Sequence, residues 1–419
     1  MTRKGPAMEQ QQDAPTEFFD IAIAGAGPAG VLAALSLGAL GFKTICAGPA
    51  FSPDPERPDT RTTALMAGSV DLLKSLGVWE ECAPFAAPLK ALRMIDDTGR
   101  LLRAPDVYFS SEEIGPEPFG YNISNRPLMQ VLHRRLESAP NARYIASEGV
   151  VEATPGADRV VLRLKEGRVI EARLAVGADG KESLCREAAG IGVQRWRYDQ
   201  TAIALNFHHS EPHNFTCTEL HRPAGQFTMV PLPGNVSSLV WVERPAEASR
   251  LMSLSDAAIA SEIETRSYGL LGRVSKIEPR AAFPLSGLFA RSLGRRRIAL
   301  AGESAHVAPP VGAQGLNLGF RDVEALTACL NEARTQGRDI GADGVLEKYT
   351  KARRGDVFTR VLAADVLNRT LTTGFFPFQV MRGAGLSLLK SVGPLRRFVM
   401  REGVEPQFTM LSALTRAPW

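Results

Sequence analysis

Three glycine-rich segments, far apart in the chain, constrain its fold more than anything else in the sequence. They are Gly25-Ala26-Gly27-Pro28-Ala29-Gly30, Ala178-Asp179-Gly180, and Gly302-Glu303-Ser304-Ala305-His306 running on through Asn317. Asp20 to Ala24 is an apolar run of strand length, and Val31 to Leu40 is an alanine-rich helical run closed by Gly41. A strand, a tight glycine turn and a helix suit a dinucleotide pyrophosphate. The glycines admit the phosphates to the backbone, and the helix N-terminus offers free N–H groups with a partial positive charge. One such turn is weak evidence, since glycine makes up 38 of 419 residues. Three stations in agreement carry the argument.

Composition excludes several classes. At 44% hydrophobic and 22% charged, the chain has ample core for two or three domains. A net charge of +4 and the lack of a long basic and aromatic stretch argue against a nucleic-acid partner. The five cysteines are odd in number and widely spaced, without a C-x-x-C, so neither a disulfide framework nor a metal site is expected. Ile21 to Phe42 lacks charge, but its five glycines and one proline divide it into strand, turn and helix instead of a membrane span. Residues 1–17 are polar and rich in Gln and Pro, as in a disordered tail.

Along the chain, Phe42 to Ala47 is expected to form a second strand, and Arg61 to Leu65 to open a helix ending at Gly77. A hairpin is expected around Asp96-Asp97-Thr98-Gly99, and a helix from Pro127. Val160–Leu164 and Val169–Val176 read as a strand pair, and Thr201 to Val242 as an antiparallel sheet. Residues 316–331 and 342–369 read as helices. The fold class expected is α/β: a Rossmann-like dinucleotide-binding domain with an inserted antiparallel-sheet substrate domain and C-terminal helices. The discontinuous dinucleotide-binding domain takes residues 18–86, 119–190 and 280–350. Residues 87–118 and 191–279 form the substrate sheet, and 351–419 the C-terminal helical region.

The second station, Arg173 through Gly177-Ala178-Asp179-Gly180 to Ser183 and Arg186, resembles the Asp-Gly fingerprint of flavin aromatic hydroxylases of the p-hydroxybenzoate hydroxylase class. Gly302-Glu303 with Pro309-Pro310-Val311-Gly312-Ala313-Gln314-Gly315-Leu316-Asn317 resembles that family's second flavin fingerprint. Leu316-Asn317-Leu318-Gly319 with Arg321-Asp322 is similar to the ubiquinone-biosynthesis hydroxylases. So are Asp59-Thr60-Arg61, Glu219-Leu220-His221-Arg222-Pro223, and Tyr349 with Arg353 and Asp356. The resemblance implies an FAD-dependent monooxygenase that hydroxylates a polyprenylated phenol. NAD(P)H reduces the flavin, O2 adds at C4a, and the hydroperoxide delivers an electrophilic OH to the ring.

By the same resemblance, Gly25, Gly27, Pro28, Ala29 and Gly30 approach the pyrophosphate. Asp179, Gly302 and Glu303 serve cofactor hydroxyls or nearby backbone, and Pro310, Gly312, Gln314, Gly315, Leu316 and Asn317 line the flavin. Arg61 and Arg126 are phosphate partners or, alternatively, halves of surface ion pairs. No general base is assigned, and His306 is expected to be structural.

Three departures stand out. The second strand ends in Ala47-Gly48 where the family has a ribose-binding carboxylate, a loss of about ten- to a hundredfold in affinity unless replaced. A carboxylate restored by Gly48→Glu is expected to tighten binding if the position accepts a side chain. Glu303 stands where the family has Asp, and Ala313 where it has Gly, so a negative φ is expected at Ala313. Two rivals follow: a hydroxylase of a small soluble aromatic, and a non-catalytic flavin-binding scaffold of a quinone-synthesis complex.

A cytoplasmic protein is expected, peripheral on the inner membrane or docked on other ubiquinone-biosynthesis proteins. From Val366 to Arg401 the chain carries Arg369, Arg382, Lys390, Arg396, Arg397 and Arg401 and no acid, interleaved with Phe375-Phe376-Pro377-Phe378 and Leu386 to Leu389.

Overall fold

The computed structural model describes residues 17–51, 59–99, 104–372, 388 and 391–404. The tail up to residue 16, Phe375–Phe378, Arg382, Leu386, Leu389 and Lys390 lie outside them.

Alternating apolar segments and helices build a parallel sheet first. Its five parallel neighbours are, in spatial order, Ile298–Leu300, Val169–Gly177, Glu17–Ala24, Thr44–Gly48 and Ala142–Ala146. The hairpin Val150–Pro155 and Val160–Leu164 adds antiparallel strands to Val169–Gly177. The carboxyl halves of the inner strands are buried on both faces, whereas the edge strand Ala142–Ala146 is partly exposed. Helix Pro28–Ala39 is buried continuously from Gly30 to Gly38, which explains a helix with no polar stripe. The late helix, Gln314–Thr335, packs against it, and the long helix Asp343–Thr372 packs on the late one.

Among the described residues the second sheet has nine strands. Its main path runs His306–Val307, Ala281–Ala290, Val193–His209, Val236–Glu243, Gln226–Leu232, Thr216–His221, Ala91–Asp96 and Val107–Ser110. Its pairings are antiparallel except between Thr216–His221 and Ala91–Asp96, which run parallel. Ala281–Ala290 belongs to this sheet by hydrogen bonding, beyond residue 279 where the sequence-based boundary fell. One face buries Ile203, Leu205, Phe207, Phe227, Met229, Leu239 and Trp241 under helices Pro245–Ser253 and Asp256–Arg266. The period-2 alternation of these strands puts all of those residues on one side.

Two local expectations change. Arg61 to Leu65 does not open a helix. Thr62–Met66 is a strand paired with Gly120–Ser124, and the helix begins at Ala67. The β-branched Thr62 and Thr63 favour the extended state over a helical first turn. The helix expected from Pro127 starts at Asn125, so Pro127 takes its third position, still within the first turn where a missing N–H costs nothing.

Candidate cofactor and active site

Adjacency of parallel strands assembles the three glycine stations. Each station follows the carboxyl end of a strand, and those strands are neighbours, so segments up to 290 residues apart meet at one edge of the sheet, the usual position of an α/β binding crevice. Backbone bonds lock them together. Gly25 N donates to Ala47 O at 2.7 Å, Ala178 N to Ala24 O at 2.8 Å, and Ala301 N to Gly177 O at 3.0 Å. Ser304 Oγ donates to Gly177 O at 2.6 Å.

The glycines divide by what surrounds them. Gly25 has φ +107°, and a Cβ there would lie 2.2 Å from Ala178 O. A Cβ on Gly30 would lie 1.9 Å from Gly25 O. Both glycines are therefore demanded by the protein's own backbone. Gly27 differs: it caps helix Pro28–Ala39 in an extended conformation, and among the described residues, its chain neighbours apart, no atom lies within 4 Å of its missing Cβ. That helix has Pro28 in its first turn, no acidic residue there and no side-chain cap, so its positive end stays open. Ala29 packs inward, its Cβ 3.3 Å from where a Cβ on Gly302 would sit. Gly319 of the late helix completes the junction, a Cβ there falling 3.2 Å from Gly302 Cα.

Gly48 does not accept a carboxylate. A Cβ there would lie 2.4 Å from Ala26 N and 2.8 Å from Ala26 Cβ. The obstacle is contact with the glycine turn and not a left-handed backbone, since Gly48 is absent from the positive-φ glycines. The expected gain from Gly48→Glu is overturned on this geometry.

Asp179 accepts a hydrogen bond from Cys185 N at 3.0 Å through Oδ2, while its buried Oδ1 has no partner among the described residues. Glu303 is exposed in the turn Gly302–Ser304. Arg61 is half of an ion pair: its Nε and Nη2 lie 2.7 and 2.8 Å from the two oxygens of Asp59. Burial opposes ionisation at Asp59, but Arg61 holds its carboxyl below the ordinary value. The bond from Asp59 raises Arg61 against burial, and Glu303 adds further attraction. Arg61 also lies 5.5 Å from the Phe283 ring of the second sheet, so it spans the mouth between the two sheets. Arg126 is exposed in the first turn of its helix.

The loop before the late helix holds strain. Ala313 caps that helix with φ +54° and ψ +34°, against the negative φ expected for a residue with a β-carbon. The left-handed conformation costs about 1–2 kcal/mol for such a residue. Gly312 precedes it at φ +65°. Among the capping groups, Gln314 Nε2 donates to Gly312 O at 2.7 Å. Asn317 fastens the loop: its Oδ1 accepts from Met66 N at 2.9 Å and Ser69 Oγ at 2.7 Å. Its Nδ2 donates to Ala64 O at 2.8 Å and Ala313 O at 2.6 Å. With all four bonds made, the Asn317 amide is a clamp, worth about 1 kcal/mol per bond, with no group left for a ligand. Leu316 packs on the main core, and Pro310 is exposed. Gly315 is exposed with open space at its missing Cβ, beside a second uncapped helix N-terminus that has no acid in its first turn.

Beneath this loop lies a charged network that sequence reading left without a role. Asp322 is fully buried and accepts from Gly302 N at 3.1 Å, His306 Nε2 at 2.6 Å and Arg353 Nε at 2.8 Å. Arg353 also donates to Asp356, at 2.6 Å, and Asp356 accepts from Arg360 at 2.8 Å. Arg360 reaches Gln314 Oε1 at 2.9 Å and Glu402 O at 2.7 Å. Burial alone would raise the Asp322 carboxyl, yet His306 and Arg353 hold it below its ordinary value of 3.8. His306 is thus engaged in a buried pair, as a structural role requires. The available signal was a charge at position 322 amid Leu318, Val323 and Leu326, on the buried side of a helix.

Residues 19–364 match the FAD binding domain family. The chain belongs to this family. It is 34% identical to the ubiquinone hydroxylase UbiL of Rhodospirillum rubrum over 390 residues, covering 92% of this chain and 89% of that protein. It is 32% identical to the 3-demethoxyubiquinol 3-hydroxylase of Escherichia coli over 391 residues, covering 92% and 98%. These relatives put it in the ubiquinone-biosynthesis hydroxylase branch. In fold it superposes on p-nitrophenol 4-monooxygenase PnpA from Pseudomonas putida with a TM-score of 0.75 at 19% identity, covering 94% of this chain and all of that one. The flavin-hydroxylase architecture expected from the sequence is the one found.

The residues present fit FAD. An open helix N-terminus at Gly27, an unpartnered carboxylate oxygen on Asp179 and a second open N-terminus at Gln314 answer to a pyrophosphate, a hydroxyl-bearing chain and an electron-rich ring edge.

Proposed function

We propose that the protein is an FAD-dependent monooxygenase that hydroxylates the aromatic ring of a polyprenylated phenol in ubiquinone biosynthesis, using NAD(P)H and O2. The observation that carries this reading is the meeting of the three glycine stations with Gly27 left open at a helix N-terminus, in a chain whose relatives are named as ubiquinone hydroxylases. FAD, when bound, supplies the redox chemistry that activates O2 and places one oxygen atom on the ring.

The chain's own residues do the rest. Gly27 and the N–H groups that follow it hold the pyrophosphate. Asp179 Oδ1 and Glu303 accept from cofactor hydroxyls. The N-terminus of Gln314–Thr335 stabilises negative charge on the flavin ring edge. Asn317 fixes the loop at that N-terminus, and Arg61, tied to Asp59 and attracted by Glu303, guards the mouth. The apolar cluster of Ala202, Val240, Val242 and Leu285, on the face of the second sheet away from helices Pro245–Ser253 and Asp256–Arg266, excludes water from the reacting ring.

A prenyl tail partitions into the bilayer, so the enzyme docks at the inner membrane or on a partner protein there. No helix among the described residues is long and apolar enough to cross a membrane. Phe358, Leu362 and Val366 are exposed at intervals of four on the long helix, and Arg397 and Arg401 are exposed on Gly393–Val404. Arg396 is no docking cation, since it pairs with Glu113 and covers the Phe109 ring at 5.0 Å. Co-sedimentation with anionic vesicles should weaken when Arg397 and Arg401 become Glu; binding that does not change ends the docking idea.

The deciding experiment for the activity is mass spectrometry of the quinone intermediates that accumulate when the gene is removed. A prenylated phenol lacking one ring oxygen is expected. An unchanged quinone profile overturns the proposal.

A further inference from the structure

The nine-stranded sheet has two unlike faces. The face under Pro245–Ser253 and Asp256–Arg266 is apolar throughout its centre. Alternation puts Glu219, His221, Gln226 and Thr228 on the other face, since their neighbours Leu220, Phe227 and Met229 point into the apolar cluster. In register, Glu219 stands opposite Thr228 and His221 opposite Gln226, so the four form one block. Their exposures are 8%, 1%, 2% and 8%, which makes the block a buried polar quarter. Ala202, Val240, Val242, Leu285 and Tyr198 form an apolar cluster on the same sheet.

Two members of the block settle their own needs: Glu219 Oε1 and His221 Nε2 lie 2.7 Å apart. The other two do not. Gln226 Oε1 and Thr228 Oγ1 have no hydrogen-bond partner among the described residues. Gln226 is held in place from its other end, its Nε2 donating to Pro310 O at 2.5 Å. That bond puts the open amide oxygen beside the loop that leads into Gln314–Thr335. A buried polar atom without a partner costs about 1–3 kcal/mol, and here two lie on one strand face. An amide oxygen only accepts, while a threonine hydroxyl donates and accepts. Alternate residues of a strand stand about 6.6 Å apart, the span of a substituted ring and not of a single atom.

We propose that Gln226 and Thr228 receive the oxygen-bearing edge of the aromatic substrate, with Gln226 Oε1 accepting from the ring hydroxyl and Thr228 Oγ1 donating to a ring oxygen. They are positioning residues that select a phenol over a bare arene and set it against the Pro310 loop. This rests on the hydroxylase reading above.

The test uses the full chain loaded with FAD and two probes, 2-geranylphenol and geranylbenzene, which differ by one hydroxyl. Binding is read from the perturbation of the flavin absorbance spectrum. The native protein should prefer the phenol by about tenfold or more. Gln226→Leu should bring the two probes to within about threefold, by losing the acceptor. Gln226→Leu also removes the bond to Pro310 O, so Thr228→Val is the second variant. It deletes an unpaired hydroxyl, and should raise or leave unchanged the melting temperature of the apoprotein while weakening phenol binding several-fold. A purely structural threonine would not separate those two readouts. A native protein that binds neither probe overturns the hydroxylase reading, and this assignment with it. Equal binding of both probes by the native protein overturns this assignment alone. So does a preference that survives in both variants, or a Thr228→Val protein that melts lower and keeps its preference.

Discussion

The two ends of the cofactor crevice are built on opposite plans. At the strand ends, Gly25 and Gly30 face the protein's own backbone, at 2.2 and 1.9 Å from an added Cβ, and within that turn Gly27 is left open. At the loop before Gln314–Thr335, Ala313 sits in a left-handed conformation, and the neighbouring sheet leaves Gln226 Oε1 and Thr228 Oγ1 unsatisfied. The backbone of the first end is fixed by its own packing, with Gly27 and Asp179 Oδ1 left open. The second retains strain and unmet hydrogen bonds, the usual condition of a surface whose partner arrives later.

Substitution of two glycines in one turn tests the first plan most severely. Gly30→Val should lose at least about 4 kcal/mol or fail to fold, because backbone stands where its side chain must go. Gly27→Val should keep its melting temperature and lose FAD, read from the absorbance of the purified protein. If both variants behave alike, the division of the turn into structural and ligand-facing glycines is wrong.

The network under the loop comes next. Asp322→Asn removes the charge that His306, Arg353 and Gly302 N converge on, and should cost about 3–5 kcal/mol. Its acid limb gives a second readout. The folded carboxyl lies below its ordinary 3.8, so the stability it contributes is complete above that value and is lost as pH falls through the lower folded value. Denaturant melts between pH 5 and about pH 2 should show a shallower decline for Asp322→Asn than for the native protein. Parallel curves would mean that the pairing does not depend on this charge.

Gly48→Glu is the smaller test of the first end. It should destabilise by about 1–3 kcal/mol through contact with Ala26, and leave FAD affinity no tighter. Tighter binding in a titration of apoprotein with FAD would show that the glycine turn yields more than its packing implies. Smallest of all, Ala313→Gly should stabilise by about 0.5–1 kcal/mol, the relief of left-handed strain less the added freedom of the unfolded chain. A loss of stability there would place the strain elsewhere in the loop.

These regions also differ in how far they could be read from sequence. The glycine stations, the flanking strands and the helices at 316–331 and 342–369 were legible because backbone approach and periodicity leave local marks. Three things were not. Gln226 owes its meaning to Pro310, 84 residues away, and to a face of the sheet that alternation alone cannot assign. Its one local sign was a pair of polar residues, Gln226 and Thr228, within the otherwise apolar strand Gln226–Leu232. Gly48 looked like a lost ribose ligand because the contact that forbids a side chain comes from Ala26, across a strand pairing. Ala313 violated its own propensity because Asn317 pulls its carbonyl into the clamp with Ala64, Met66 and Ser69.

The order in which the glycine stations occur carries a consequence for biosynthesis. The strand ends that meet at the crevice come from residues 24, 177 and 300, and the junction closes only with Gly319. At a synthesis rate of about 5–20 residues per second, roughly 15–60 s separate the emergence of the first glycine turn from that of its last partner. For about half of that interval the central strand Glu17–Ala24 lacks its neighbour Val169–Gly177, and until the interval ends the nascent chain has no completed nucleotide crevice. Cofactor capture is therefore a late event, and the apolar first strand is the segment most in need of a chaperone while the ribosome works.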